Sequence, residues 1–218
     1  GAASLRLFRA FGAVGGARAV FAGSCAEYDW NCERLRENAT PLAPHTLYGR
    51  AKVALSSLVL SAAGAMGISV AWGRIFFPYG PEESGKRLIG GLCDAMLRNE
   101  VFAMSSGRQE RDFIHVRDVA AAFVRLLSSA VEGPVNIASG QTSSVRDVAL
   151  KIQALGKRED LLAFGRRSEQ DGEPERMIAS TARLRDEVNF RPRFDLASGL
   201  EDTYRRRLAA QQNDGNVQ

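Results

Sequence analysis

Three side chains in the first quarter of this 218-residue sequence could together move a proton. Tyr48 and Lys52 stand four apart, a spacing that sets both on one face of a helix. A phenol beside an ammonium is an acid whose conjugate base the cation favours. Ser24, upstream of both, offers a hydroxyl that would hydrogen-bond the same reacting atom. Chance also makes such pairs: four tyrosines and four lysines in a chain of this length give a Tyr-x-x-x-Lys in roughly 7 % of cases. The spacing alone therefore describes a chemistry and leaves the function open.

For the three to meet, Ser24 must end a strand and Tyr48 must open a helix. Ala19-Val20-Phe21-Ala22 reads as an apolar strand, broken by Gly23-Ser24-Cys25. A polar loop over 27–44 ends in a proline that favours an extended approach. Residues 46–63 predict a long helix, with Leu47, Ala51, Ala54, Leu55, Leu58 and Val59 at helical spacing and Gly64 and Gly67 to stop it. The near-continuous apolar run over 68–75 reads as a strand buried on both faces of a parallel sheet. Pro78-Tyr79-Gly80-Pro81 predicts a turn at its end.

The remaining elements alternate in the same way. Helices are expected over 2–11, 87–98, 116–128 and 145–155, the last capped by Ser144, and strands over 101–104, 111–116 and 135–138. The last third is less regular, with helices at 181–187 and 196–210. This alternation is that of an α/β chain with a mostly parallel sheet. Ligands of such sheets collect at the carboxyl ends of the strands, where Ser24, Tyr48 and the 78–81 segment fall.

Composition excludes several classes. With 45 % hydrophobic and 25 % charged residues the chain can bury a full core. No apolar run approaches the roughly 20 residues of a membrane span and no signal peptide opens the sequence, so we expect no membrane partner and a cytoplasmic protein. The net charge of +4 comes mostly from scattered arginines, so nucleic acid is not expected. Arg166-Arg167 could meet phosphate, whereas Arg205-Arg206-Arg207 reads as a solvated helix end. Cys25, Cys32 and Cys93 are odd in number and lack Cys-x-x-Cys spacing, and His45 and His115 lie far apart, so neither a disulfide framework nor a metal site is expected. No Gly-x-Gly-x-x-Gly turn is present, and Gly12-Ala-Val-Gly15-Gly16 has the order of a helix-to-strand loop.

Five segments in sequence order resemble one family, the extended short-chain dehydrogenases, which include the NAD-dependent nucleotide-sugar epimerases, dehydratases and 4-ketoreductases. Phe21-Ala-Gly-Ser24-Cys-Ala-Glu-Tyr28 is similar to the family's strand ending in serines and a tyrosine, and Tyr48-Gly-Arg-Ala-Lys52 matches its Tyr-x-x-x-Lys helix. Arg74-Ile-Phe-Phe-Pro-Tyr-Gly-Pro81, Arg111-Asp-Phe-Ile-His-Val-Arg-Asp118 and Val135-Asn-Ile-Ala-Ser-Gly140 resemble three later motifs.

The resemblance implies a partial Rossmann-like, doubly wound parallel sheet with a small carboxy-terminal α/β substrate-binding region. It divides the chain into 1–80, the carboxy-terminal part of the dinucleotide-binding fold; 81–110, a substrate-region insertion; 111–138, a return to the sheet; and 139–218, the substrate-binding region and tail. It implies NAD or NADP as cofactor and a nucleoside-diphosphate sugar as substrate. Tyr48 would be the general acid/base, Lys52 would hold the nicotinamide ribose, and Ser24 would align the reacting oxygen. Phe76 and Pro78 would also border the cofactor. Phe77, Arg111 and Arg167 would border the substrate, the arginines as diphosphate contacts, with a structural ion pair from Arg111 to Asp112 or Asp118 as the alternative. Phe77 stands where many members carry an asparagine, and a phenyl ring cannot make that hydrogen bond. The apolar residues of the 46–63 helix spread wider than one face, which fits members that form homodimers and equally a helix packed on both sides. The amino-terminal half of the dinucleotide fold has no counterpart here, so we expect a fragment of a longer protein with an exposed sheet edge. Epimerase and ketoreductase both stay open, as does a non-catalytic relative, against which the intact Ser24, Tyr48 and Lys52 count.

Overall fold

A computed structural model of the chain describes residues 2–169 and 172–215. Helix α1 (Ala2–Ala13) leads into strand β1 (Arg18–Ser24), one 3₁₀ turn (Cys25–Glu27) and β2 (Arg34–Leu35). Helix α2 (Leu47–Met66) follows, then β3 (Ser69–Ile75), β4 (Phe77–Tyr79), α3 (Leu88–Arg98), β5 (Phe102–Ala103), β6 (Glu110–Arg111) and β7 (Phe113–His115). The remainder is α4 (Val116–Leu127), β8 (Gly133–Ile137), β9 (Ser143–Ser144), α5 (Val145–Gly156), β10 (Leu162–Ala163), β11 (Arg176–Ala179), a π-helical turn (Arg183–Glu187) and α6 (Leu196–Gly215).

Strands β1, β3 and β8 form a parallel sheet in that order, with Phe21 opposite Trp72 and Ser24 opposite Ile75. The middle strand is buried along its interior because helices cover both faces. Val70 and Trp72 pack with Phe8 of α1 and with Val59 and Ala63 of α2. Ala71, on the other face, packs with Val119, Ala122 and Leu126 of α4. That two-sided cover is why the sequence over 68–75 is almost all apolar rather than alternating. The sheet is doubly wound, and β1 pairs with β3 alone among the described residues.

A second layer of short pairings builds the other half. β2, β11, β6 and β9 form one small sheet, β4 pairs with β7, and β5 with β10. Helices α3, α5 and α6 close over a core that includes Leu92, Met96, Val148, Ile152 and Leu200. Ser144 caps α5 as expected, its Oγ accepting from the Asp147 backbone at 3.0 Å.

Several local expectations change. Residues 77–79 are a short strand beside 113–115 rather than the start of a turn. Pro78 sits there without harm because the pairing is only two strands wide. Helix α2 runs past Gly64 and ends at Gly67, which caps it at φ 64°. The polar 27–44 loop contains β2, whose Leu35 is fully buried through its pairing with β11. Residues 183–187 form a single π turn. Arg205 and Arg206 face solvent beside Glu201 and Asp202, but Arg207 turns inward to Asp94 and to the carbonyls of Pro81 and Glu83, pinning α6 to α3's approach. No helix among the described residues is long and apolar enough to cross a membrane.

Candidate active site

Ser24 is the last residue of β1 and the cap of the 3₁₀ turn that follows. Its Oγ accepts from the Ala26 backbone N–H at 3.2 Å, while the Glu27 carboxylate accepts from the Ser24 N–H at 2.8 Å. This reciprocal cap holds the side chain at the carboxyl end of the sheet. One Oγ lone pair is spent on the cap, and the hydroxyl proton remains free to donate.

Tyr48 lies in the first turn of α2, whose start is set by Thr46: its Oγ1 accepts from the Gly49 N–H at 3.0 Å. A Cβ on Gly49 would run into the Ala26 carbonyl, so only glycine lets the helix rest on the backbone just past Ser24. This close approach joins two residues the sequence holds far apart. Lys52, one turn on, donates from Nζ to the Ala22 carbonyl at 2.8 Å and lies 5.7 Å from the Tyr48 ring centre.

A cleft of about 340 Å³ opens here, lined by Ser24, Tyr48, Phe76, Phe77, Pro78 and Arg111 among others. Six of the seven site residues other than Arg167 thus share one cleft, and Lys52 stands behind Tyr48 at the strand end. Tyr48 is 57 % exposed at its mouth, whereas Phe76 is buried against Cys25, Tyr28 and Met177. Cys25 also lines the cleft, but burial pushes its thiol up to about 12, which keeps it protonated and unreactive at neutral pH. A larger hollow of about 480 Å³ lies between the 139–143 and 184–196 segments, and none of the candidate residues lines it.

Arg111 is buried, with its guanidinium 5.5 Å from the Phe77 ring centre. It donates to the Glu173 carboxylate at 2.7 Å and to the Glu110 carbonyl at 2.8 Å. Asp112 and Asp118, the partners of the alternative reading, are engaged elsewhere. Asp112 accepts from Ser139 and from the Gly140 N–H, and Asp118 accepts from the backbone N–H groups of Arg193 and Phe194. Glu173 is the cleft residue that sequence reasoning missed, because its segment carries no motif and arrives by folding. Trp30 is a second, at the cleft's edge, stacked on His45. Arg167 is exposed, lies 5.8 Å from the Phe102 ring centre, and does not line the cleft.

Residues 1–138 match the family model of the NAD dependent epimerase/dehydratase family. The chain belongs to this family. Among curated relatives it is similar to UDP-glucose 4-epimerase of Rhizobium meliloti, 27 % identical over 209 residues, covering 85 % of this chain and 62 % of that protein. It is also similar to UDP-glucuronic acid decarboxylase 1 of Xenopus tropicalis, 25 % identical, covering 81 % of this chain and 43 % of the relative. The chain spans about half the length of the curated relatives it matches. Among solved structures, MoeE5 in complex with UDP-glucose and NAD is 28 % identical with a TM-score of 0.87, covering 96 % of this chain and 71 % of that one. UDP-N-acetylglucosamine 4-epimerase from Methanobrevibacter ruminantium M1 has a TM-score of 0.88 at 24 % identity, covering 96 % of this chain and 68 % of that one, a likeness of fold. The family is NAD-dependent, and the solved structures similar to this chain include complexes with NAD and with NADPH.

Proposed function

We propose that this chain is the catalytic and substrate-binding part of an NAD(P)-dependent oxidoreductase acting on a nucleoside-diphosphate sugar, as a 4-ketoreductase or an epimerase. The observation that carries this reading is the meeting of Ser24 and Tyr48 in one cleft, with the Lys52 ammonium anchored at the same strand end. The residues present fit the nicotinamide-ribose end of the cofactor. Lys52 spends one of its three N–H donors on Ala22 and keeps two for ribose hydroxyls, while Tyr48, Phe76 and Pro78 border the same opening. The sequence holds no glycine-rich turn for the cofactor's diphosphate. When bound, the nicotinamide would accept or supply hydride.

This chain's own residues would handle the proton. The Tyr48 phenolate takes it from a sugar hydroxyl during oxidation, and the phenol so formed returns it to the carbonyl oxygen during reduction. Ser24, its Oγ fixed by the cap, donates to the same oxygen and orients it. Arg111 offers a planar fork at the cleft wall for the diphosphate. Among the described residues Glu173 is the one carboxylate lining the cleft, and it is held by Arg111.

We carry three finer readings with it. The segments 1–80 and 111–138 frame the catalytic face, and 81–110 and 139–218 hold the substrate. The protein is cytoplasmic. It forms a homodimer through α2, on which Leu58 is about half exposed while Val59 and Ala63 face the core.

The test is turnover of the full-length protein with a nucleotide 4-keto-sugar, followed by absorbance of the reduced cofactor. Stoichiometric oxidation identifies a reductase, and sugar interconversion with no net cofactor change identifies an epimerase. Neither activity with any nucleotide sugar, in a protein that binds NAD(P)H, would favour a non-catalytic relative.

A further inference from the structure

Directly beneath the Ser24 turn lies a buried charge that the proton chemistry does not use. Glu27 is fully buried, and its carboxylate accepts from the Ser24 backbone N–H at 2.8 Å, from Trp72 Nε1 at 2.9 Å and from Arg74 Nε at 2.8 Å. Trp72 and Arg74 are two apart on β3, so they reach the carboxylate from one face of that strand. Arg74 is itself buried, donates to the Tyr28 hydroxyl at 3.0 Å, and lies 4.6 Å from that ring's centre. Tyr28 in turn donates to Asn136 Oδ1 at 2.7 Å, in β8. Burial pushes the Tyr28 phenol up to about 12, so it keeps the proton this bond needs. One polar chain thus runs from the end of β1 through β3 to β8.

An ion pair removed from water is a poor way to stabilise a core, since an apolar pair of similar size is often as stable. Its location supplies a reason for it. Gly23, next to Ser24, has no side chain because a Cβ there would collide with both the Trp72 indole nitrogen and the Glu27 carboxylate. The strand end is therefore built around this contact. We propose that Glu27 is a positioning residue for Ser24: with Trp72 and Arg74 behind it, the carboxylate clamps the Ser24 backbone so that the hydroxyl is held toward the cleft. The inference rests on the catalytic reading of Ser24 above.

A double-mutant cycle in the full-length protein tests it, using Ser24→Ala, Glu27→Gln and the pair, with kcat and KM for the nucleotide sugar, NAD(P)H binding and thermal melting. A glutamine has one acceptor oxygen where three donors converge, so it cannot replace the carboxylate. Glu27→Gln is expected to lower kcat roughly 10- to 100-fold with KM and cofactor affinity within about threefold. The double variant is expected to match Ser24→Ala within about twofold, because the function Glu27 serves is already gone. Trp72→Phe removes the indole donor with part of the buried ring and leaves the ion pair, so it carries the same cycle should Glu27→Gln not fold; its loss of kcat should likewise vanish in the Ser24→Ala background, whereas a purely packing loss would not. Losses that multiply in either double variant, or a folded Glu27→Gln protein with unchanged kcat, overturn the inference alone. A Ser24→Ala protein with unchanged kcat overturns the reading of Ser24 and this inference with it.

Discussion

The Arg111 guanidinium holds the Glu173 carboxylate at 2.7 Å across 62 residues of sequence. Arg111 is buried and Glu173 about one-third exposed, so the arginine's charge is met by an acid at the rim of the cleft. A diphosphate arriving at Arg111 must displace this carboxylate or share the fork with it. Glu173→Gln is therefore expected to tighten binding of a nucleoside diphosphate such as UDP several-fold, by removing a competing and repelling charge. Arg111→Met should weaken it roughly 10- to 100-fold, the range of one or two charge-assisted hydrogen bonds. Titration calorimetry of both variants checks the pair. Equal affinity in parent and Arg111→Met would remove Arg111 from the substrate site.

Tyr48→Phe deletes one oxygen at the mouth of the cleft. Turnover of the full-length protein should fall roughly 10²–10⁴-fold, the usual contribution of a placed acid/base, with cofactor affinity nearly unchanged. Steady-state kinetics with equilibrium NAD(P)H binding separates the two. A loss within about twofold would end the catalytic assignment.

Two glycines of α2 should respond with opposite signs to the same substitution. A Cβ at Gly49 meets the Ala26 carbonyl and Pro44, so Gly49→Ala should cost about 1–3 kcal/mol and displace Tyr48 from Ser24. A Cβ at Gly64 meets nothing and the backbone there is helical, so Gly64→Ala should add about 0.5–1 kcal/mol. Urea unfolding measures both, and a stabilised Gly49→Ala protein would contradict the close helix approach.

His115 predicts a pH dependence of stability. It is buried with its ring tilted against Phe194, centres 4.2 Å apart, its Nδ1 accepts from the Arg117 N–H, and its Nε2 lies 3.5 Å from Asp202. Burial holds its pKa below the ordinary 6.5, outweighing the carboxylates of Asp202 and Asp118, while Arg117 and Arg206 add in the same direction. The unfolded chain then binds the extra proton first, so His115 costs stability as pH falls below about 6.5 and ceases to do so above it. Asp112 has the opposite sign: burial raises its carboxyl to about 6, so it favours folding when protonated and loses that contribution as pH rises through about 6. Comparing His115→Asn with the parent isolates the histidine. The parent's advantage over the variant should shrink between pH 7.5 and 5, and an advantage constant over that range would refute the assignment.

Local sequence determined the parts. Strand and helix periods, the Ser144 cap and the four-residue spacing of Tyr48 and Lys52 depend on neighbours within a turn or two, so β1, α2, β3 and the helix face shared by Tyr48 and Lys52 were legible from the chain alone. The order of five motifs carried the family. What only the tertiary structure decided are contacts between segments that no local period encodes. β2 exists because β11 pairs with it, and Pro78 is in a strand because 113–115 lies alongside. Arg111 meets Glu173 rather than its sequence neighbour Asp112, whose carboxylate points instead to Ser139 and Gly140. Glu27 reads in sequence as one more polar residue at the start of a loop. Only the folding of β3 against β1 brings Trp72 and Arg74 to its carboxylate, because a charge can be buried only where its partners converge.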